Sequence, residues 1–251
     1  MNPQQVLALI RERASARGPF NENRAIDPAV LDEILQAAAW SPTAHNMQNF
    51  ELVVVQDKAV LRELSELESS VSPVFVRENY RQLSFSDAEL RAKKTGLLAA
   101  QFPPEWLTTE AQAGRLPAEP PAKLGEQVRR GPALAVVLYD PARRAPASEG
   151  DFLGAMSLGC VLENMWLMAT ARGVGFHIIS SLANEPLASE VKKTLGIPER
   201  LAVALSVRLG YPALAEQPQR PRERVRRDVA DFVSLDRYRA RGEAGEPIPR
   251  G

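Results

Sequence analysis

Hydrophobic residues recur along this chain with two periods, and changes of period mark its elements. Apolar side chains at Val6, Leu7, Leu9 and Ile10 predict a short amphipathic helix over residues 4–13. Asp27-Pro28 opens a second helix, with Asp as N-cap and Pro at the first helical position. Its apolar stripe is Val30, Leu31, Ile34, Leu35 and Ala38, and Ser41-Pro42 ends it. Phe50 to Val55 is a β-branched run between polar residues and reads as a strand, and 61–67 reads as another helix. From 69 to 130 the periodicity fails. A helical piece around 87–100 runs into Pro103, Pro104, Pro117, Pro120 and Pro121, so a lid or excursion is expected there rather than a separate domain.

Ala133–Tyr139 predicts a buried strand, 177–180 a short one, and 185–195 a helix stopped by Gly196 and Pro198. A last strand, 201–209, ends at Gly210-Tyr211-Pro212, and the extended tail 213–251 holds at most a short helix near Val229. Residues 151–172 form the strongest helix, apolar nearly all round and closed by Gly173. Such a helix needs partners on every side. Few other apolar helices exist to encircle it, which favours packing against a second copy of itself. Strands and helices alternate without strict βαβ order, so the class is α+β, a mixed central sheet flanked by helices in three α/β/α layers.

Composition changes this picture little. The 251 residues hold 31 Lys+Arg and 31 Asp+Glu, so net charge argues neither for nor against a nucleic-acid partner. One cysteine, Cys160, excludes an internal disulfide framework and a Cys-rich metal site, and two histidines cannot supply a typical catalytic zinc shell. Glu163 and Asn164 interrupt the apolar stretch 153–171, which favours a buried helix over a membrane span. No basic segment leads into an apolar one at the start, so a cytoplasmic location is expected.

Several chemistries lack their motifs. No G-x-G-x-x-G follows a strand, and Walker A and H-E-x-x-H patterns are absent. Gly173-Val174-Gly175 ends a helix and reads as cap plus turn, while no G-x-S-x-G elbow supports a serine triad. Cys160 lies inside the apolar helix and reads as a small core side chain.

Three separated polar segments remain. Arg13-Ala14-Ser15-Ala16-Arg17 sets two guanidinium groups around a hydroxyl, a sensible phosphate cradle that would serve equally as a solvated helix end. Ser41-Pro42-Thr43-Ala44-His45-Asn46-Met47-Gln48-Asn49 is a turn whose amides offer the donors and acceptors a heterocycle edge requires, or simply a polar helix-to-strand connection. Residues 220–227 carry five arginines in eight positions, either a solvated basic tail or a nucleic-acid patch.

Taken together and in order, these segments resemble the flavin-dependent nitroreductase family. Arg13 to Arg17 is similar to its R-R-S-x-R opening, and Pro42 to Asn49 to its P-S-x-x-N-x-Q-P turn. Glu163-Asn164 with Gly173-Val174-Gly175, then Gly210-Tyr211-Pro212 and Arg224-Val225-Arg226, follow in the family's order, and the closing 227–238 is similar to its usual ending.

The resemblance implies a homodimer built on the central helix, with FMN at the subunit interface and NADH or NADPH as reductant. It implies hydride transfer through the flavin to a nitroaromatic, quinone or similar small electron-poor acceptor, with no nucleic-acid or membrane partner. The alternative is a flavin store of the same fold with little turnover. Carried over by position, Arg13, Ala14, Ser15 and Arg17 with Arg224 and Arg226 hold the phosphate and ribityl chain. Arg220 and Arg222 compete for that role, and Arg17 is the candidate cation toward the ring's N1 and O2. Pro42, Thr43, Ala44, Asn46 and Gln48 line the ring, and Ile179, Ser180 and Ser181 present backbone groups to it. Asn49 stands where the family has proline and is expected to loosen the turn. The aromatic residues Phe75, Tyr80, Phe85, Phe102 and Trp106 either roof the acceptor site or belong to a core.

Overall fold

The computed structural model describes residues 2–67, 84–98, 125, 128–129, 131–213 and 224–238. The chain falls into two compact units, residues 1–69 with 122–217, and residues 70–121 with 218–251.

The first unit is built on four strands: β1 (Glu51–Val55), β4 (Ala133–Tyr139), β5 (Gly175–Ile179) and β6 (Ala202–Gly210). Two-residue strands β2 (Ser84–Phe85) and β3 (Leu97–Leu98) belong to the second unit. The sheet order is β1-β4-β6-β5, and every one of its strand pairs is antiparallel. The four strands are thus antiparallel where a mixed sheet was expected, and one isolated parallel bridge, Ser15 to Phe176, lies along the β5 edge.

Alternation along β4 separates the two faces. Ala133, Ala135 and Val137 join the cluster formed with α2 (Pro28–Ala39) and α5 (Phe152–Ala171). Leu134, Val136 and Leu138 point the other way, to α3 (Lys58–Ser65) and α6 (Leu187–Leu195). Helices therefore cover both faces of the sheet, the expected three layers.

Local chemistry sets the helix ends. Asp27 caps α2 by accepting from the Ala29 amide at 2.8 Å. Gly173, at φ +67°, closes α5: its amide donates to Thr170 and the Val174 amide to Ala169, the two bonds of a Schellman cap. The neighbouring glycine has a different reason. A Cβ on Gly175 would lie 2.7 Å from the Phe20 ring and 2.9 Å from the Ala16 methyl, so β5 begins where residues 16–20 press closest. This adds two residues to the strand expected from 177.

Among the described residues, α5 is not encircled. Val161, Leu162, Met165 and Ala169 are buried toward α2 and the sheet, whereas Phe152 and Met156 are exposed. By length and hydropathy Glu149–Ala171 would also suffice to cross a membrane; here one flank packs on the chain's own core. α1 (Pro3–Glu12) touches α5, yet Val6, Leu7 and Ile10 of its apolar stripe stay exposed.

In the second unit, the helix expected over 87–100 is α4 (Asp87–Lys93). Ser86 and Glu89 close a capping box at its start, and Lys94, at φ 53°, ends it before the left-handed Gly96 and strand β3. Lys94 forms an ion pair with Asp228, next to a single helical turn at Val229–Asp231. Lys93 sits over the Phe85 ring at 4.3 Å. Phe75, Tyr80, Phe102 and Trp106, and so most of the expected lid, lie outside the described residues.

Candidate functional site

Residues 13–18 leave α1 and cross the β5 edge of the sheet. Arg13 is the C-cap of α1; its Nε lies 3.1 Å from Glu163 Oε1, and its guanidinium covers the Trp166 ring at 4.5 Å. Trp166 Nε1 donates to the Ala14 carbonyl at 3.3 Å, and its ring stacks on Phe176 at 4.9 Å. The Ala16 amide donates to the Phe176 carbonyl at 2.9 Å. Ser15 is half-buried beside this bridge, while Ala14 and Arg17 are exposed.

On the opposite face of the sheet lies a cation no motif announced. Arg208, in β6, is 1% exposed. Its Nη2 donates to the carbonyls of Ala16 (3.3 Å) and Gly18 (2.8 Å), and its guanidinium stacks over Phe20 at 4.3 Å. Burial pushes its pKa down to about 10.

His177 is the cross-strand partner of Arg208. Burial first, then the charges of Arg208 and Arg17, push its imidazole from 6.5 down to about 4, and its Nδ1 is buried without a hydrogen bond. Between those two values the unfolded chain takes up a proton that the folded chain refuses. The contribution of His177 to stability is therefore level above pH 6.5 and falls as the pH drops through this window, by about 3 kcal/mol in all. Urea unfolding of the wild type and of His177→Gln from pH 7.5 to 4 checks this. The variant loses most of that slope; parallel curves would remove His177 as its cause.

The second segment is a strained turn anchored on α5. His45 (φ 52°), Asn46 (φ 52°) and Gln48 (φ 46°) all occupy the left-handed region, three non-glycine residues within four positions. Each costs on the order of 1–3 kcal/mol unless its surroundings enforce it, and such clusters mark functional loops.

The enforcing contacts are visible. The Ala44 amide donates to Ser157 Oγ (2.9 Å), the Gln48 amide to Thr43 Oγ1 (3.0 Å), and Arg143 Nη2 to the Met47 carbonyl (3.3 Å). Asn164 Nδ2 donates to Ser41 Oγ at 2.9 Å. Gln48 Nε2 donates to Asn46 Oδ1 at 3.2 Å, so the two exposed amides act as a pair. Pro42 is exposed, and Thr43 and Ala44 are half-buried against α5.

Asn49 does the reverse of what its replacement of proline led one to expect. Its Nδ2 donates to the carbonyls of Asp140 (3.0 Å) and Arg143 (2.9 Å), and its Oδ1 accepts from the Asp140 amide (3.1 Å). Three hydrogen bonds to the turn that follows β4 tighten this one.

The third segment continues from β5. Ile179 is buried, with its carbonyl accepting from Ser206 Oγ at 3.0 Å, and Ser180 and Ser181 begin a single 3-10 turn. Within the first unit, 13–17 and 179–181 flank the two ends of β5. Residues 13–17 meet α5 at Glu163 and Trp166, the turn meets it at Ser157, and nine residues of helix amount to roughly 13 Å. Arg224 and Arg226 are exposed in the second unit; Arg220 and Arg222 lie outside the described residues. Cys160 is half-buried with a free thiol, so it is not the fully enclosed core residue expected.

Comparison with known proteins decides the family. The model of the nitroreductase family matches residues 10–211. The chain belongs to the nitroreductase family. Among curated proteins none matches it. Solved nitroreductase structures share the fold. A nitroreductase with bound FMN from Bacteroides fragilis NCTC 9343 is 22% identical, with TM-score 0.54, covering 88% of this chain and 94% of that one. An FMN-dependent nitroreductase from Clostridium difficile R20291 is 14% identical, with TM-score 0.56, covering 92% and 99%. A nitroreductase-like family protein from Bacillus cereus is 16% identical, with TM-score 0.57, covering 94% and 97%. The matched span includes residues 13–17, the strained turn and Arg208, and stops at Tyr211, before the tail arginines.

Proposed function

We propose that this member of the nitroreductase family is an FMN-dependent oxidoreductase that takes hydride from NADH or NADPH and delivers it to a nitroaromatic, quinone or similar electron-poor acceptor. The observation that carries the reading is the turn 43–48, strained at three positions, braced from α5 and β4, and presenting two coupled amides outward.

The residues present fit FMN by their donor chemistry. Arg13, Ser15 and Arg17 combine guanidinium and hydroxyl donors suited to a phosphate, with Ala14 between them and Arg224 and Arg226 from the tail as further cations. Asn46 and Gln48 offer amide donors and acceptors to a heterocycle edge; Pro42, Thr43 and Ala44 form the wall beside them. The backbone of 179–181 supplies further polar groups. When bound, FMN supplies hydride acceptance and release at its ring N5. The chain's part is to bind and orient: the bracing of the turn fixes the amides, and Arg17 sets positive charge nearby.

The same reading makes the protein a cytoplasmic homodimer. Cradle and turn address stretches of α5 roughly 13 Å apart, so one copy alone spreads them along the helix. Pairing the exposed flank of α5, with Phe152 and Met156, against a second copy would cover apolar surface and let one chain's cradle approach the other's turn.

The test is the absorbance spectrum of the purified protein, then anaerobic addition of each reduced nicotinamide. Flavin bands that bleach and return with an electron-poor acceptor support the enzyme. A yellow protein that resists bleaching is a flavin store, and a colourless one that takes up no FMN ends the proposal.

A further inference from the structure

The flavin reading leaves the most deeply buried charged side chain of the sheet unused. Arg208 sits beneath residues 16–18, and its Nη2 donates to the carbonyls on either side of Arg17, those of Ala16 and Gly18. The Ala16 amide donates the other way, to Phe176. The short stretch that carries Arg17 is thus held twice, by a backbone bridge to β5 and by the Arg208 side chain. Space for the clamp is built in: a Cβ on Gly131 would lie 3.0 Å from Arg208 Cγ, and the Phe20 ring lies 4.3 Å from the guanidinium.

We propose that Arg208 is a positioning residue for phosphate recognition, fixing the backbone of residues 16–18 so that Ser15 and Arg17 meet the phosphate of a bound flavin mononucleotide pre-aligned. This rests on the flavin reading above. A cation suits the task in two ways. Charge-assisted bonds to carbonyls are stronger than neutral ones, and the planar guanidinium reaches both carbonyls from one buried position. A positive charge under the segment also favours the arrival of an anion above it. Arg208 and Arg17 both act on His177, which places the two cations around one imidazole.

The test compares FMN with riboflavin, the same ring without phosphate, by fluorescence titration of the flavin-stripped protein. The wild type should prefer FMN strongly. Arg208→Lys keeps the charge and loses the planar fork, so FMN affinity should fall roughly 10- to 100-fold while riboflavin affinity changes less than about threefold. A merely structural role would weaken both flavins alike, and that result, or no change in either, overturns the proposal. Gly131→Ala displaces the Arg208 stem by a few tenths of an ångström without removing the cation. It should show the same selective loss in smaller measure, and it decides the matter if the lysine variant does not fold. A wild type that binds FMN no better than riboflavin would instead defeat the phosphate reading itself.

Discussion

Replacing Arg13 and Arg226 together by alanine should strip the flavin from the protein. Each lost charge-assisted contact costs roughly 1.5–3 kcal/mol, so the pair costs about 3–6 kcal/mol, a fall in FMN affinity of two to four orders of magnitude. Arg13 is held ready for the role: Glu163 and the Trp166 face restrict its rotamers before any ligand arrives. Glu163→Gln serves as control, since it frees Arg13 without removing its charge and should cost far less. Equilibrium dialysis against FMN gives the numbers, and full flavin retention by the double variant would refute the assignment of these arginines.

Phe176→Ala should lower stability by about 3–5 kcal/mol, the cost of a cavity where a buried ring stood. Phe176 is 1% exposed, stacks on Trp166, and accepts the Ala16 amide through its carbonyl. Its loss frees Trp166, which also holds Ala14 and Arg13. Urea unfolding measures the stability, and the near-ultraviolet circular dichroism of the folded variant reports release of the indole. A loss under about 1 kcal/mol would mean that the ring is not the keystone of this corner.

What could be read in the sequence follows from how local each signal is. Asp27-Pro28 and Gly173 act within one helical turn, so α2 and the end of α5 were legible. The strand 133–139 is buried on both faces and shows as an unbroken apolar run. The end of α4 was missed because it depends on left-handed backbone at Lys94, a residue with no special tolerance for it. Arg208 was hidden by its neighbours, a single charge in an apolar strand whose partners are backbone carbonyls about 190 residues away. Ser157 and Asn164, which brace the turn, stand seven apart on one stripe of α5. That spacing was a readable sign that this stripe meets something polar.

Asn49 has a further consequence. A proline ring would restrict the chain in the denatured ensemble as much as in the native one. Asn49 can act only once the turn that follows β4 offers the Asp140 amide and the carbonyls of Asp140 and Arg143. The order of the turn at 43–49 is therefore tied to the pairing of β1 with β4, whereas a proline would have restricted it independently of the sheet.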